Sequence, residues 1–283
     1  MKLKLLLFIF LTGVSAVFAQ NNYIENIKIN TEDGWTLNAK WRAPKKNNNV
    51  FLLIHGQKSN LNEWEKWFKE IENYGLGFLA VDLRGHGFSN ISPEGSTVSF
   101  KSFATSGLDN EYNKMIRDID AAVIWISSQG ISENRIIPVG SWLGGNLAIK
   151  YGAINKNIPM VVSIYPSMNI NDVLIVNPIR AYGKRPILFV SSSKYEKKYK
   201  ELQLLNDIAK LSCGKENVFT IIERELTGPK DTMKTTIRKI IEWTMSPTLP
   251  EAIEYKIPLS TYTIIGSSSN LKASSQENEQ NED

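Results

Sequence analysis

The sequence predicts an α/β fold, a single domain built on a mostly parallel sheet with helices on both faces and an antiparallel hairpin at its N-terminal end. Short uninterrupted apolar runs, such as VFLLI at residues 50–54, are typical of strands buried on both faces. Amphipathic segments separate these runs, and this strand–helix alternation favours a parallel sheet. The 283 residues, 42% of them hydrophobic, are enough for one such domain.

The first predicted element is the hairpin. Residues 24–30 and 35–41 alternate polar and apolar side chains on either side of a turn, which is typical of two antiparallel strands. The later strands share continuous apolar character and are predicted at 50–54, 76–81, 135–139, 160–164, 186–190 and 218–222. The helices are predicted at 62–74, 109–128, 143–154, 195–211 and 231–245. No insertion is long enough to form a lid, so residues 20–246 are predicted to form the domain.

Three motifs follow predicted strands, where an open parallel sheet binds its ligands. His55-Gly56 follows the first apolar strand, DLRGHGFS (82–89) follows the next, and GSWLGGN (140–146) follows strand 135–139. In this order and spacing they resemble the α/β-hydrolase superfamily, above all its small lidless esterases, serine peptidases and dienelactone-hydrolase-like members, over residues 23–245. The resemblance implies a strained Gly-x-Ser-x-Gly turn, an oxyanion hole, and a later acid and histidine that complete a triad.

The nucleophile position of this resemblance is occupied by Trp142. Gly140 and Gly144 supply the small flanking residues that the turn requires, and the indole nitrogen is only a hydrogen-bond donor. A shift of one residue would make Ser141 the nucleophile. Bulky valine and leucine side chains would then flank a turn that brings backbones close together, which argues against the shift.

The base and the acid of the triad are also replaced. Both histidines of the chain, His55 and His86, lie in the early motifs, where we expect them to bond backbone groups. The resemblance places the base at Lys230 or Pro229 and the acid near Tyr195, with Glu196 one residue away. A site in which Ser141 pairs with His55 or with Lys230 remains an alternative.

The candidate binding residues surround the turn and are His55, Gly56, Gln57, Trp142 and Leu143. The indole of Trp142 would fill the space of a substrate's acyl carbon, or form an aromatic floor on which a ligand stacks. In the second motif, Asp82 and Arg84 are expected to form an ion pair that shapes their loop.

Composition excludes several other classes of site. A single cysteine, Cys213, excludes an intrachain disulfide and a multi-cysteine zinc site, and we expect it to be a packing residue. With so few histidines, no metal and no cofactor is predicted. Lys+Arg 33 against Asp+Glu 29 gives a net charge of +4, too small to indicate a nucleic-acid partner.

The two ends of the chain are expected to lie outside the domain. Lys2 and Lys4 precede an apolar run and a small-residue exit at Ala19, which is typical of a signal peptide (1–19) for export to the periplasm or the exterior. An uncleaved anchor is the alternative, although the run is short of the roughly 20 residues of a span. After cleavage no stable membrane span is predicted. Residues 247–265 are an extension that either packs on the domain or is a linker, and the polar residues 266–283 are expected to be disordered.

The sequence therefore favours an exported α/β-hydrolase-fold protein that is catalytically inactive and has a binding or interaction role. The alternative is a serine hydrolase for esters or peptides with a non-standard nucleophile such as Ser141. The sequence does not identify the partner, and both a small molecule and an envelope protein remain open.

Overall fold

The computed structural model describes residues 23–107, 109–224 and 228–247. The predicted signal peptide and tail, and the predicted extension beyond its first residue, lie outside these ranges. Within them the strands are β1 (Glu25–Asn30), β2 (Thr36–Arg42), β3 (Val50–Ile54), β4 (Gly77–Val81), β5 (Ile136–Ser141), β6 (Val161–Ile164), β7 (Asn169–Ile170), β8 (Val173–Leu174), β9 (Ile187–Ser192) and β10 (Val218–Glu223). The helices are α1 (Glu65–Asn73), α2 (Glu111–Lys114), α3 (Ile116–Ser128), α4 (Leu143–Ile154), α5 (Val176–Ala181), α6 (Glu196–Cys213) and α7 (Lys234–Met245).

One large sheet carries the fold, with the strand order β1-β2-β4-β3-β5-β6-β9-β10. β1 and β2 form an antiparallel hairpin, and β2 also pairs antiparallel with β4. The remaining strands of this sheet pair in parallel in the order β4-β3-β5-β6-β9-β10, so the loops at their carboxyl ends lie on the same side of the sheet. The predicted fold class, a mostly parallel sheet with an N-terminal antiparallel hairpin, is confirmed.

Both faces of the central strands are buried, as β3 shows. Val50, Leu52 and Ile54 belong to one apolar cluster, whereas Phe51 and Leu53 belong to the cluster on the other face. All of these side chains have no exposed surface. Because both faces demand apolar side chains, the strand is an unbroken apolar run rather than an alternating one.

Helices cover the two faces unequally. Side chains of α1 and α7, including Trp67 and Ile240, belong to the cluster that contains Phe51. The other cluster includes Ile119 of α3, Leu147 of α4 and Leu205 of α6. Among the described residues, no helix combines the length and apolar character that a membrane span needs.

Apart from shifts of one to three residues at the ends of elements, the predicted elements and the observed ones differ in three places. The helix predicted at 109–128 is divided at Met115 into α2 and α3, and the side chain of Asn110 caps the first. The helix predicted at 62–74 begins with a 3-10 turn at Leu61–Trp64. β7, β8 and α5 were not predicted, because strands of two residues and a helix of six show no clear periodicity.

Candidate functional site

The turn between β5 and α4 holds Trp142 in a strained conformation. Its φ is 49° and its ψ is −114°, a combination that only glycine adopts without strain. The Trp142 amide donates to the carbonyl of Ile164 at 2.8 Å, and its own carbonyl accepts from the amide of Asn146 at 3.0 Å. Trp142 therefore lies at the apex of the turn, and Ser141 is the last residue of the strand.

The two flanking glycines are required by close backbone contacts. A Cβ added at Gly140 would lie 2.1 Å from the carbonyl oxygen of Gly144. A Cβ at Gly144 would lie 2.1 Å from the carbonyl oxygen of Ile54 on β3. The turn is thus packed directly on the neighbouring strand, with Gly140 two residues before the apex and Gly144 two residues after it.

The indole of Trp142 occupies the space above the sheet. It stacks on the ring of Tyr165 with centroids 4.8 Å apart and an angle of 6° between planes. The Lys198 ammonium lies 5.9 Å from the Trp142 ring. A Cβ at Gly56 would lie 3.4 Å from Trp142, and a Cβ at Gly228 would lie 4.0 Å from the indole nitrogen. The ring therefore lies between the loop after β3 and the loop that the resemblance assigns to the base.

Ser141 is fully buried and bonded to a carboxyl group. Its hydroxyl donates to Oε1 of Glu63 at 2.5 Å, and the same oxygen accepts from the Gly56 amide at 3.1 Å. Burial raises the pKa of Glu63, although the hydrogen bonds from Ser141, Ser59 and Gly56 and the charge of Lys230 oppose the rise. Glu63 thus ties the loop after β3 to the turn.

Sequence reasoning missed Glu63. An amphipathic helix at 62–74 would place its charged residues on the solvent side, yet Glu63 is only 5% exposed. The 3-10 turn at the start of this segment shifts the face on which its side chains lie. The other partner of the contact, Ser141, is 78 residues away, so no local pattern could have paired the two.

Both histidines bond backbone groups. Nδ1 of His55 lies 2.8 Å from the Gly56 carbonyl, and Nε2 accepts from the Leu83 amide at 3.0 Å. Burial, assisted by the neighbouring His86, lowers the pKa of His55 to about 3, so the ring is neutral at neutral pH. The ring nitrogens of His86 each lie 2.9 Å from a backbone carbonyl, one of them that of Gln57. In the described contacts neither ring pairs with the Ser141 hydroxyl, which is bonded to Glu63 instead.

The acid and base positions lie at the rim of the site. Tyr195 precedes α6 and is 47% exposed. Lys230 is an exposed residue of a 3-10 turn, Pro229–Asp231, close enough for its charge to act on the buried carboxyl of Glu63. Glu196, which follows the acid position, instead forms an exposed ion pair with Lys200 at 2.6 Å.

The remaining predicted residues lie around the apex. Leu143 is buried and begins α4 immediately after Trp142, and Gln57 follows Gly56 in the loop that packs against the indole. The resemblance builds an oxyanion hole from the amide after the nucleophile position, which here is that of Leu143, and from one amide of the loop that contains Gln57. Within the described ranges, no group of three or more His, Cys, Asp or Glu side chains could hold a metal ion.

The predicted ion pair between Asp82 and Arg84 is wrong. The Asp82 carboxylate accepts hydrogen bonds from the amides of Leu61 at 2.7 Å and Phe88 at 2.9 Å, so it fixes two loops. Arg84 lies in a different environment with partners far away in sequence.

Arg84 is the centre of a buried ion network. Its guanidinium contacts Asp118 at 2.6 Å, Asp33 at 2.7 Å and Glu111 at 3.2 Å, and it has no exposed surface. Burial opposes ionisation of Asp33, but hydrogen bonds from Arg84, Thr31 and Arg117 and the Arg84 charge together lower its pKa to about 2. The network shapes the DLRGHG loop and lies outside the contacts of the turn.

A strained strand–turn–helix apex at the carboxyl end of a central parallel strand, next to a His-Gly loop, is the arrangement of the α/β-hydrolase fold. The model of one family in this superfamily, serine aminopeptidase S33, matches residues 45–260. The chain therefore belongs to the serine aminopeptidase S33 family.

Known proteins of this class are similar to the chain at low identity. Protein phosphatase methylesterase 1 of Schizosaccharomyces pombe is 27% identical over 146 residues, which are 50% of this chain and 39% of that protein. The match thus spans well under half of that relative's length. Esterase Pf2001 of Pyrococcus furiosus has a TM-score of 0.62 at 18% identity, with 79% of this chain and 90% of the esterase covered. Dienelactone hydrolase of Anabaena variabilis has a TM-score of 0.61 at 13% identity, with 79% of this chain and 97% of the dienelactone hydrolase covered. The structural likenesses show the fold.

Proposed function

We propose that the protein is a catalytically inactive member of the serine aminopeptidase S33 family that acts by binding a ligand or a partner protein. The observation that carries this proposal is Trp142 at the apex of the turn. An indole offers only an N–H donor and cannot attack a carbonyl carbon to form an acyl-enzyme. The loss concerns the chemistry of the site, whereas the fold of the family is retained.

The surroundings of the apex support the same proposal. The stack on Tyr165 stabilises the indole in place by about 0.5–1.5 kcal/mol, so the ring does not leave the acyl position without cost. The neighbouring base and acid positions hold Lys230 and Tyr195. A lysine at the rim and a phenol cannot reproduce a histidine oriented by a carboxylate.

Export is the second part of the proposal. It rests on the positively charged start, the apolar run and the small-residue exit at Ala19. Mass spectrometry of the protein from the periplasm or the medium should find a mature N-terminus at Gln20. Recovery of the full-length chain from the membrane fraction would support an uncleaved anchor instead.

The alternative function is a serine hydrolase that uses Ser141. The hydrogen bond from Ser141 to Glu63, a carboxyl with a raised pKa, is the observation that favours it, because a carboxylate is able to accept the serine proton. Against it, the Ser141 hydroxyl has no exposed surface and lies below the apex. A substrate carbonyl would reach it only if the turn opened.

A fluorophosphonate probe and p-nitrophenyl acetate test both functions. We expect neither labelling nor turnover of the wild-type protein, and no turnover from Trp142→Ser, because the variant still lacks a base. Ser141→Ala is the decisive variant, and Ser128→Ala, at the end of α3, is its control. Labelling that Ser141→Ala abolishes and Ser128→Ala leaves intact would establish the hydrolase and refute the inactive protein.

A further inference from the structure

A second cleft lies away from the apex, beside the antiparallel edge of the sheet. It has a volume of about 430 Å³ and lies between the β1–β2 hairpin, the 3-10 turn after β3 and the loop after β4. Its lining includes Asn26, Asn38, Lys40, Asn62, Glu65 and Phe88. We call it the hairpin groove. Trp142, Tyr165 and Tyr195 do not line it, so it is separate from the site described above.

Asparagine side chains dominate the polar lining of the hairpin groove. Asn38 donates to the Phe88 carbonyl at 2.5 Å, and Oδ1 of Asn60 accepts from the Asn62 amide at 3.0 Å. Oδ1 of Asn62 accepts from Lys40 at 3.0 Å. In the part of the chain that the structure describes, these bonds leave the amino groups of Asn60 and Asn62, Oδ1 of Asn38 and the whole Asn26 amide for a ligand. The groove therefore offers donors and acceptors side by side, as hydroxyl groups require.

The charged groups of the hairpin groove are already paired. Lys40 lies 3.6 Å from Glu65 and also donates to Asn62. The carboxylate of Asp82 is held by two backbone amides. The Lys40–Glu65 pair carries no net charge and Asp82 is buried, so the groove exposes little uncompensated charge and favours a neutral ligand.

Phe88 adds an aromatic surface to this polar lining. Its side chain is 78% exposed. Its backbone is fixed, because its amide donates to the Asp82 carboxylate and its carbonyl accepts from the Asn38 side chain. Because its backbone is fixed, Phe88 presents its exposed ring at a defined position beside the asparagine amides. The C–H face of a sugar ring packs on such a ring while its hydroxyl groups bond neighbouring amides.

We propose that the hairpin groove binds a neutral saccharide, with hydroxyl groups on the asparagine amides and one ring face on Phe88. The volume falls within the range of small-ligand sites, roughly 300–1,000 Å³. The proposal is independent of the state of the apex, because Trp142, Ser141 and Glu63 do not line the groove.

Titration of the ¹⁵N-labelled protein with maltotriose, cellotriose and N-acetylated chitotriose, all of them neutral, followed by NMR, tests the groove. We expect at least one of these probes to shift the side-chain amide signals of Asn26 and Asn62. Phe88→Ala should weaken that binding about tenfold through loss of the stacking face. Asn62→Asp keeps the oxygen that accepts from Lys40 but removes the amino group, and it should also weaken binding.

Tyr195→Ala is the matched control, because Tyr195 is also an exposed aromatic residue but lies at the rim of the apex. We expect it to leave saccharide binding unchanged, and circular dichroism should show that all variants are folded. The proposal is overturned if no probe shifts the asparagine signals at millimolar concentration. It is also overturned if Phe88→Ala has no effect, or if Tyr195→Ala abolishes binding. Shifts of the β1 backbone signals with an extended peptide, in the absence of saccharide shifts, would show that the ligand class is wrong.

Discussion

Glycine and alanine at position 142 should invert their usual order of stability. In an ordinary helix or strand, glycine is less stable than alanine by roughly 0.5–1 kcal/mol, because it loses more backbone freedom on folding. At the apex the backbone has a φ of 49° and a ψ of −114°. Glycine adopts this conformation freely, whereas alanine is strained there by about 2 kcal/mol. Trp142→Gly should therefore be more stable than Trp142→Ala by about 1 kcal/mol.

Both variants should be less stable than the wild type. Replacement of a fully buried tryptophan by alanine costs roughly 3–5 kcal/mol, and the half-buried indole of Trp142, with its stack on Tyr165, corresponds to about 2 kcal/mol. The glycine variant recovers part of this loss by removing strain. We expect costs of about 2 kcal/mol for Trp142→Ala and about 1 kcal/mol for Trp142→Gly.

Urea unfolding followed by far-UV circular dichroism measures these differences without relying on tryptophan fluorescence. Trp125, inside α3, supplies the control pair. There Trp125→Gly should be less stable than Trp125→Ala by about 1 kcal/mol. If Trp142→Ala were as stable as Trp142→Gly or more stable, residue 142 would not be at the apex. The alternative register, with Ser141 at the apex, would then have to be reconsidered.

Three further variants test the buried contacts around the site. Burial raises the pKa of Glu63, so the ionised carboxylate opposes folding. Glu63→Gln should therefore become more stable relative to the wild type as the pH rises above the ordinary glutamate range. A stability difference in urea unfolding that stays constant from pH 4 to 8 would contradict this. Asp33 has a pKa of about 2 and stabilises the fold as a carboxylate. Asp33→Asn should therefore lower the free energy of unfolding by about 1 kcal/mol at pH 7 after solvent screening, and this difference should vanish as the pH falls toward 2. Gly140→Ala places a Cβ against the Gly144 carbonyl and should cost more than about 3 kcal/mol in thermal unfolding, whereas Gly95→Ala, in open space, should cost about 1 kcal/mol.

The fold could be predicted because its determinants are local. Residues 50–54 were predicted as a strand with the observed bounds, since burial on both faces leaves an unbroken apolar run. The apex could be located at Trp142 because the two glycines around it answer a steric requirement of the turn itself. Elements below the length of a periodic pattern, such as β7 and β8, leave no such signature.

The contacts that connect distant segments could not be predicted. Ser141 and Glu63 are 78 residues apart, and Arg84 is separated from Asp33 by 51 residues and from Asp118 by 34. For Arg84 the sequence offered Asp82 as the nearest acid, but chain proximity does not determine which side chains share a buried space. Only the packing of α3 and the hairpin around the DLRGHG loop selects its partners.

The strained turn is required by the sheet as well as by catalysis. Gly140 pairs with Ile54 in the register of β5 and β3, and Gly144 packs on the carbonyl of the same Ile54. A chain that lost its nucleophile would still need this crossing to place α4 on the sheet, so the strained apex by itself does not indicate activity. The residue at the apex decides the chemistry. With Trp142 there, the stack on Tyr165 contributes about 0.5–1.5 kcal/mol and offsets part of the backbone strain of about 2 kcal/mol, so the side chain that blocks the turn also stabilises it.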